Sequence, residues 1–150
     1  LKLLTKEYFF SLKSNYYLYY LSPMLLLFLI MMMWMIYPFK MNLLNWELNS
    51  LFFLCLMSMG VYGLMMSGWS SNSSFSMLGA IRSIAQSISY EVIFVITFLT
   101  SFLLINSLNL NNLLIYQKYL FMIFIMWPMS LIMLISMLAE INRTPFDLSE

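Results

Sequence analysis

The chain has 150 residues, 63% of them hydrophobic and 9% charged, whereas soluble domains carry about 25% charged residues. Too little polarity is available to cover a water-facing surface, which excludes a soluble helical bundle. Seven basic and six acidic residues nearly cancel to a net charge of +1, so no strong field points to nucleic acid; with no histidine and one cysteine, zinc, haem and iron–sulfur sites lack their ligands.

The first segment, "LKLLTKEYFFSLK" (1–13), is too short and too charged to cross a bilayer. Leu1, Leu4, Tyr8 and Leu12 can share one helical face, which predicts an amphipathic helix on the membrane surface. A crossing needs about twenty mostly apolar residues, and four windows qualify. The first covers about 18–37, with Ser22 and Pro23 near its start, where proline is tolerated, and Pro38 at its end. The second covers about 48–68. It holds Cys55, which reads as a packing residue, and its Gly60, Gly63 and Gly68, with Ser58 and Ser67, form a small-residue stripe suited to close helix approach. Residues 69–87, rich in Ser and Asn, read as a loop. The third window covers about 88–108, and 109–118 reads as a connection. The fourth covers about 119–139, with a kink expected at Pro128.

The fold class is therefore all-α: a polytopic transmembrane helix bundle with four spans and an N-terminal surface helix, in one membrane domain over 1–150. Tyr37, Trp46, Trp69 and Tyr116 sit near span ends, where amphipathic rings favour the headgroup zone. Lys2, Lys6, Lys13, Arg82 and Arg143 fall on one side of the membrane, Lys40 and Lys118 on the other. The excess of basic residues assigns the first side to the cytoplasm, or to the matrix of a mitochondrion. The chain starts without Met and closes just past a dense set of charges, so a longer protein is expected. Its Phe, Leu, Ile and Met filling is that of an AT-rich gene, as many mitochondrial genes are.

Two carboxylates stand where oil should be. A charge near the bilayer centre costs about 2.5–3.5 kcal/mol on insertion scales, so such groups face protein or water. Glu91 is placed in the first turn of the third span, where a helix dipole favours a carboxylate; its depth also suits a group that gains and loses protons. Before it runs "RSIAQSISY", with Arg82 and Gln86 on one helical face and Ser83, Ser87 and Tyr90 adding hydroxyls. Glu140 ends the fourth span, followed by Arg143, Asp147 and Glu150. Pro145 disfavours helix at Thr144, so the helix should stop near Asn142 and "RTPFDLSE" should turn across the inner surface. Three carboxylates around one guanidinium point to shared protons rather than simple pairing; a solvated loop with one weak salt bridge is the plain alternative.

"KLLTKE" (2–7), "GAIRSIAQSISYE" (79–91) and "AEINRTPFDLSE" (139–150) resemble, in order, the quinone-side membrane subunit family of respiratory complex I, NADH–ubiquinone oxidoreductase chain 1. The last two motifs are long and specific. The resemblance, closest in composition to mitochondrially encoded versions, implies a fragment lacking the first helix and the C-terminal half. It implies a location in the mitochondrial inner membrane, with 1–13, 69–87 and 140–150 on the matrix side. It further implies that Lys6, Glu7, Arg143, Asp147 and Glu150 border a ubiquinone tunnel. Glu91 and Glu140, with Arg82 and Gln86, would belong to a polar path for protons. Nothing is carried over to Tyr8 and Phe9, where this chain departs from many relatives.

By the same resemblance the chain binds no cofactor itself. Ubiquinone is the substrate, NADH the electron source, and FMN and iron–sulfur clusters belong to partner subunits of the peripheral arm. Antiporter-like membrane subunits and lipids are further partners. The chain would then be a subunit of a proton-translocating NADH:ubiquinone reductase without a complete active site of its own. The alternatives are the membrane subunit of a related energy-converting hydrogenase, and an ion transporter, which broken helices in an inverted repeat would favour.

Overall fold

The structure, a computed structural model, describes residues 1–2, 4–7, 11–37 and 46–147. Pro38, Lys40, Tyr8 and Glu150 lie outside the described residues. The elements are helices throughout: α1 Tyr16–Trp34, α2 Asn49–Ser70, α3 Ser74–Leu103, α4 Leu110–Tyr116, α5 Met122–Ile125 and α6 Trp127–Glu140. α2 packs on α1 and α3, and α3 packs on α6. Three helices, α1, α2 and α3, are long and apolar enough to cross a membrane; α6 is apolar but has only 14 residues. The fold is a helical membrane bundle, as its composition requires.

Four boundaries differ from the sequence expectation, each for a visible reason. The residues read as a 69–87 loop are mostly helix, because α3 begins at Ser74. Its serines do not compete with the helix. Ser76, Ser83, Ser87 and Ser89 each donate to the carbonyl three residues back, at 2.7–3.0 Å, so hydroxyls that mark a loop elsewhere are satisfied inside the helix. At 30 residues α3 is about 45 Å long, well beyond a hydrocarbon core of about 30 Å.

The 109–118 connection contains α4. Asn109 caps it, its side-chain oxygen accepting from the Asn111 N–H at 2.9 Å. Asn49, at the start of α2, accepts from the Leu110 N–H at 3.0 Å and donates to Asn109 Oδ1 at 3.2 Å. The fourth span is broken rather than kinked. α5 stops at Met126, whose φ of −118° and ψ of 46° are not helical, and Pro128 stands in the first turn of α6, where its missing N–H costs nothing. The break lines a cavity of about 290 Å³ whose walls include Thr97, Ser101, Gln117 and Ser130, the setting in which irregular backbone is tolerated at membrane depth. The described residues show no inverted counterpart of this break in α1–α3.

The N-terminal surface helix is not found: no described residue before Tyr16 is helical, and Leu1, Leu4 and Leu12 are exposed. Among the described residues these three leucines are almost wholly exposed, without the packing by which a short amphipathic helix is stabilised. Pro23 is interior to α1 rather than in its first turn. Its missing N–H would have bonded the Tyr19 carbonyl, and the Ser22 hydroxyl takes that place at 3.1 Å. Cys55 is exposed on the outside of α2 and does not pack in the core.

An aromatic ladder on α3 forms the main core. Phe94, Phe98 and Phe102 recur at helical spacing, with ring centroids 5.7 and 5.0 Å apart, and Phe53 of α2 meets Phe98 at 5.7 Å. Leu29, Ile36 and Leu56 join α1 to α2. The glycine stripe splits between two neighbours. A methyl at Gly63 would strike the Leu26 side chain of α1, one at Gly68 would overlap Ala80 Cβ of α3, and one at Gly60 would meet open space.

Gly68→Val is therefore expected to cost about 1–3 kcal/mol through overpacking at the α2–α3 contact, lowering the yield of assembled full-length protein. Gly60→Ala should be neutral or mildly stabilising. Thermal stability in detergent measures both.

Candidate functional site

Part of the sequence-predicted polar set, Gln86 and Tyr90 of α3 with Glu140 and the turn after it, meets at one corner, where the C-terminus of α6 reaches the side of α3. α6 stops through a Schellman turn. The Arg143 N–H bonds the Leu138 carbonyl and the Asn142 N–H bonds the Ala139 carbonyl, both at 3.3 Å. Asn142 occupies the left-handed position, with φ of 52°. The helix end near Asn142 is thus as expected, and the reason is visible: asparagine is among the few residues that accept this conformation at low cost. A second turn follows, closed by the Phe146 N–H to the Arg143 carbonyl at 2.8 Å, and it contains the cis Thr144–Pro145 peptide.

These turns fold residues 141–147 back onto α3. The Gln86 side chain donates to the Ala139 carbonyl at 3.1 Å and to the Phe146 carbonyl at 3.0 Å. The Phe146 ring stands edge-on to Tyr90, centroids 5.2 Å apart. Tyr90, valued in the sequence for its hydroxyl, presents its ring to the loop.

Glu91 of α3 and Glu140 of α6 stand on helices that pack together, and the charge of Glu91 bears on the Glu140 carboxyl. Both are partly buried. Glu91 does not lie at a helix N-terminus: with α3 starting at Ser74 it is mid-helix, and the dipole account of its presence is withdrawn. Glu140 Oε2, Gln86 Oε1 and Asn142 Oδ1 are buried without a described hydrogen-bond donor. The corner is therefore rich in acceptors, a setting in which a carboxyl that carries a proton can supply the missing donor.

Arg82 and Gln86, expected on one helical face, both lie on α3 but in different settings: Arg82, like Arg143, is exposed while Gln86 is buried. Asp147 is partly buried within the folded-back loop. Lys6 and Glu7 are exposed in the N-terminal segment, and no described contact joins them to the corner. Sequence reasoning missed two features, the left-handed Asn142 and the Tyr90–Phe146 pair. Asparagine just past an apolar periodic run was a signal for the first; the second has no local signal. Among the described residues, no three His, Cys, Asp or Glu side chains gather to hold a metal ion.

A profile of the NADH dehydrogenase family matches residues 1–150. The chain belongs to the NADH dehydrogenase family. It is 47% identical over 149 residues to NADH-ubiquinone oxidoreductase chain 1 of Aedes aegypti, covering 99% of this chain and 48% of that protein. The corresponding protein of Anopheles gambiae is 46% identical over 149 residues, again 99% of this chain and 48% of the relative. That of Locusta migratoria is 41% identical over 150 residues, 100% of this chain and 48% of the relative. The chain spans about half the length of the curated relatives it matches. In this NADH dehydrogenase family member, then, the polar corner is built, among the described residues, from α3, α6 and the turn that follows.

Asn142→Val should strain the left-handed position by about 1–2 kcal/mol, whereas Asn142→Gly should not. In the assembled full-length protein, hydrogen exchange at the Asn142 and Arg143 amides is expected to quicken in the valine variant only.

Proposed function

We propose that this chain is part of the membrane subunit of a proton-pumping NADH:ubiquinone oxidoreductase, seated in the mitochondrial inner membrane with Lys13, Arg82 and Arg143 toward the matrix. In this reading residues 140–150, with Lys6 and Glu7, border the ubiquinone tunnel. Glu140 and Glu91, with Gln86 and Arg82 nearby, begin the proton path. The observation that carries the reading is the packing of α3, which holds Glu91, on α6, which ends in Glu140, with Gln86 bonding the loop that holds Arg143 and Asp147.

Electrons reach ubiquinone from NADH through FMN and iron–sulfur clusters held by partner subunits. Reduction to ubiquinol takes up two electrons and two protons; the quinol is as neutral as the quinone, but each proton drawn from a group beside the loop leaves that group one charge more negative. Two unit charges about 4 Å apart interact by roughly 4 kcal/mol at an effective dielectric of 20, enough to couple the loop to the carboxyl of Glu140. In this reading a proton gained or lost there alters the balance at Glu91, which stands on the helix packed against α6. The chain's own part is to hold the two carboxyls out of hydrocarbon, within reach of each other, and under a loop that senses the quinone. Antiporter-like membrane subunits would take the proton path onward.

Glu140→Gln in the full-length protein should leave assembly intact and lower quinone-coupled proton translocation on the order of a hundredfold, as removal of a proton-transferring group does. Undiminished coupled turnover would remove Glu140 from the mechanism. Arg143→Leu should weaken binding of quinone-site inhibitors together with turnover; a loss of assembly alone would assign Arg143 a structural role.

A further inference from the structure

We propose that Gln86 is a positioning residue: its carboxamide clasps the 141–147 loop to α3 and so sets where Arg143 and Asp147 stand relative to Glu140 and Glu91. The clasp rests on geometry alone; its importance for coupling rests on the function proposed above.

A primary amide has two N–H donors, and Gln86 spends one on the Ala139 carbonyl at the end of α6 and one on the Phe146 carbonyl in the loop. The side chain is 7% exposed and Ala139 is fully buried, so water cannot readily replace these bonds. The Ala139 carbonyl also accepts from Asn142 within the Schellman turn. The amide therefore joins three things at one point: the flank of α3, the terminus of α6 and the far side of the loop. Four residues further along α3, Tyr90 backs the same loop residue from its ring face. Two loop contacts made by α3 thus fall on Phe146, next to Asp147.

The chemistry favours glutamine here over the ionisable residues around it. An amide neither gains nor loses a proton near neutral pH, so the clasp keeps its strength while Glu140 changes state. A carboxylate in its place would offer no donor to two carbonyls, in a corner where Gln86 Oε1, Glu140 Oε2 and Asn142 Oδ1 already lack donors. Gln86 thereby acts through the loop and not as a proton carrier.

The test uses the full-length protein in complexes shown by native gel to be assembled. In Gln86→Leu, and in the nearly isosteric Gln86→Glu, hydrogen exchange at the Arg143–Asp147 amides should rise roughly tenfold, and KM for a short-chain ubiquinone should rise more than kcat falls. Unchanged loop exchange overturns the clasp, whatever the activity; lost proton translocation with unchanged exchange would make Gln86 a proton-path residue instead. Should neither variant assemble, Tyr90→Cys with Phe146→Cys is treated with a short bis-thiol reagent. Crosslinking supports the folded-back loop and its absence overturns it. The two readings separate cleanly: a loosened loop in Gln86→Leu beside normal coupling in Glu140→Gln keeps the clasp and removes the coupling role, and the reverse pair does the opposite.

Discussion

Hydrocarbon offers no hydrogen bonds, so each polar group in this chain must find its partner within the protein or at a wet corner of it. That requirement explains much of the architecture. Serine and threonine hydroxyls turn back on their own helices, as Ser67, Ser83, Thr97 and Ser136 do. Ser22 fills the bond that Pro23 removes. Asn49 and Asn109 satisfy one another and the first N–H of α4 across the far end of the bundle. Polarity is thus spent locally on keeping helices intact, which lets a serine-rich stretch continue α3 well past the length a bilayer needs.

The corner between α3 and α6 obeys the same rule differently. Here the partners are distant in sequence, with Gln86 reaching across to Ala139 and Phe146. Three acceptor oxygens here, on Gln86, Glu140 and Asn142, are buried without a described donor. Two carboxyls share this space, and the turn beside them carries an arginine and an aspartate. A place where protein, not lipid, surrounds ionisable groups is where charge can change at tolerable cost, and the loop folded over it is an available lever.

Membership of the NADH dehydrogenase family sets a context in which such a corner has a use. The geometry adds an economy of parts. One helix, α3, supplies the clasp, the ring that backs the loop and one of the two carboxyls within the six residues from Gln86 to Glu91. A change in the loop would be felt by Glu91 through the same rigid element.

The all-α membrane class and the end of α6 were legible in the amino-acid sequence, because they follow from local quantities: the length of apolar runs and a proline that forbids helix. The rarity of charge in oil singled out Glu91 and Glu140, but not where either would stand. The start of α3, the break at Met126 and the lone α4 were not legible. A serine signals a loop or a helix according to which carbonyl it meets, and that is decided by whether the chain is already helical there. A proline kinks or begins a helix according to where the preceding turn ends. Only the tertiary structure could also reveal that Gln86 reaches Phe146 and that Glu91 and Glu140 stand on helices that pack together, since sixty and forty-nine positions of chain separate those pairs.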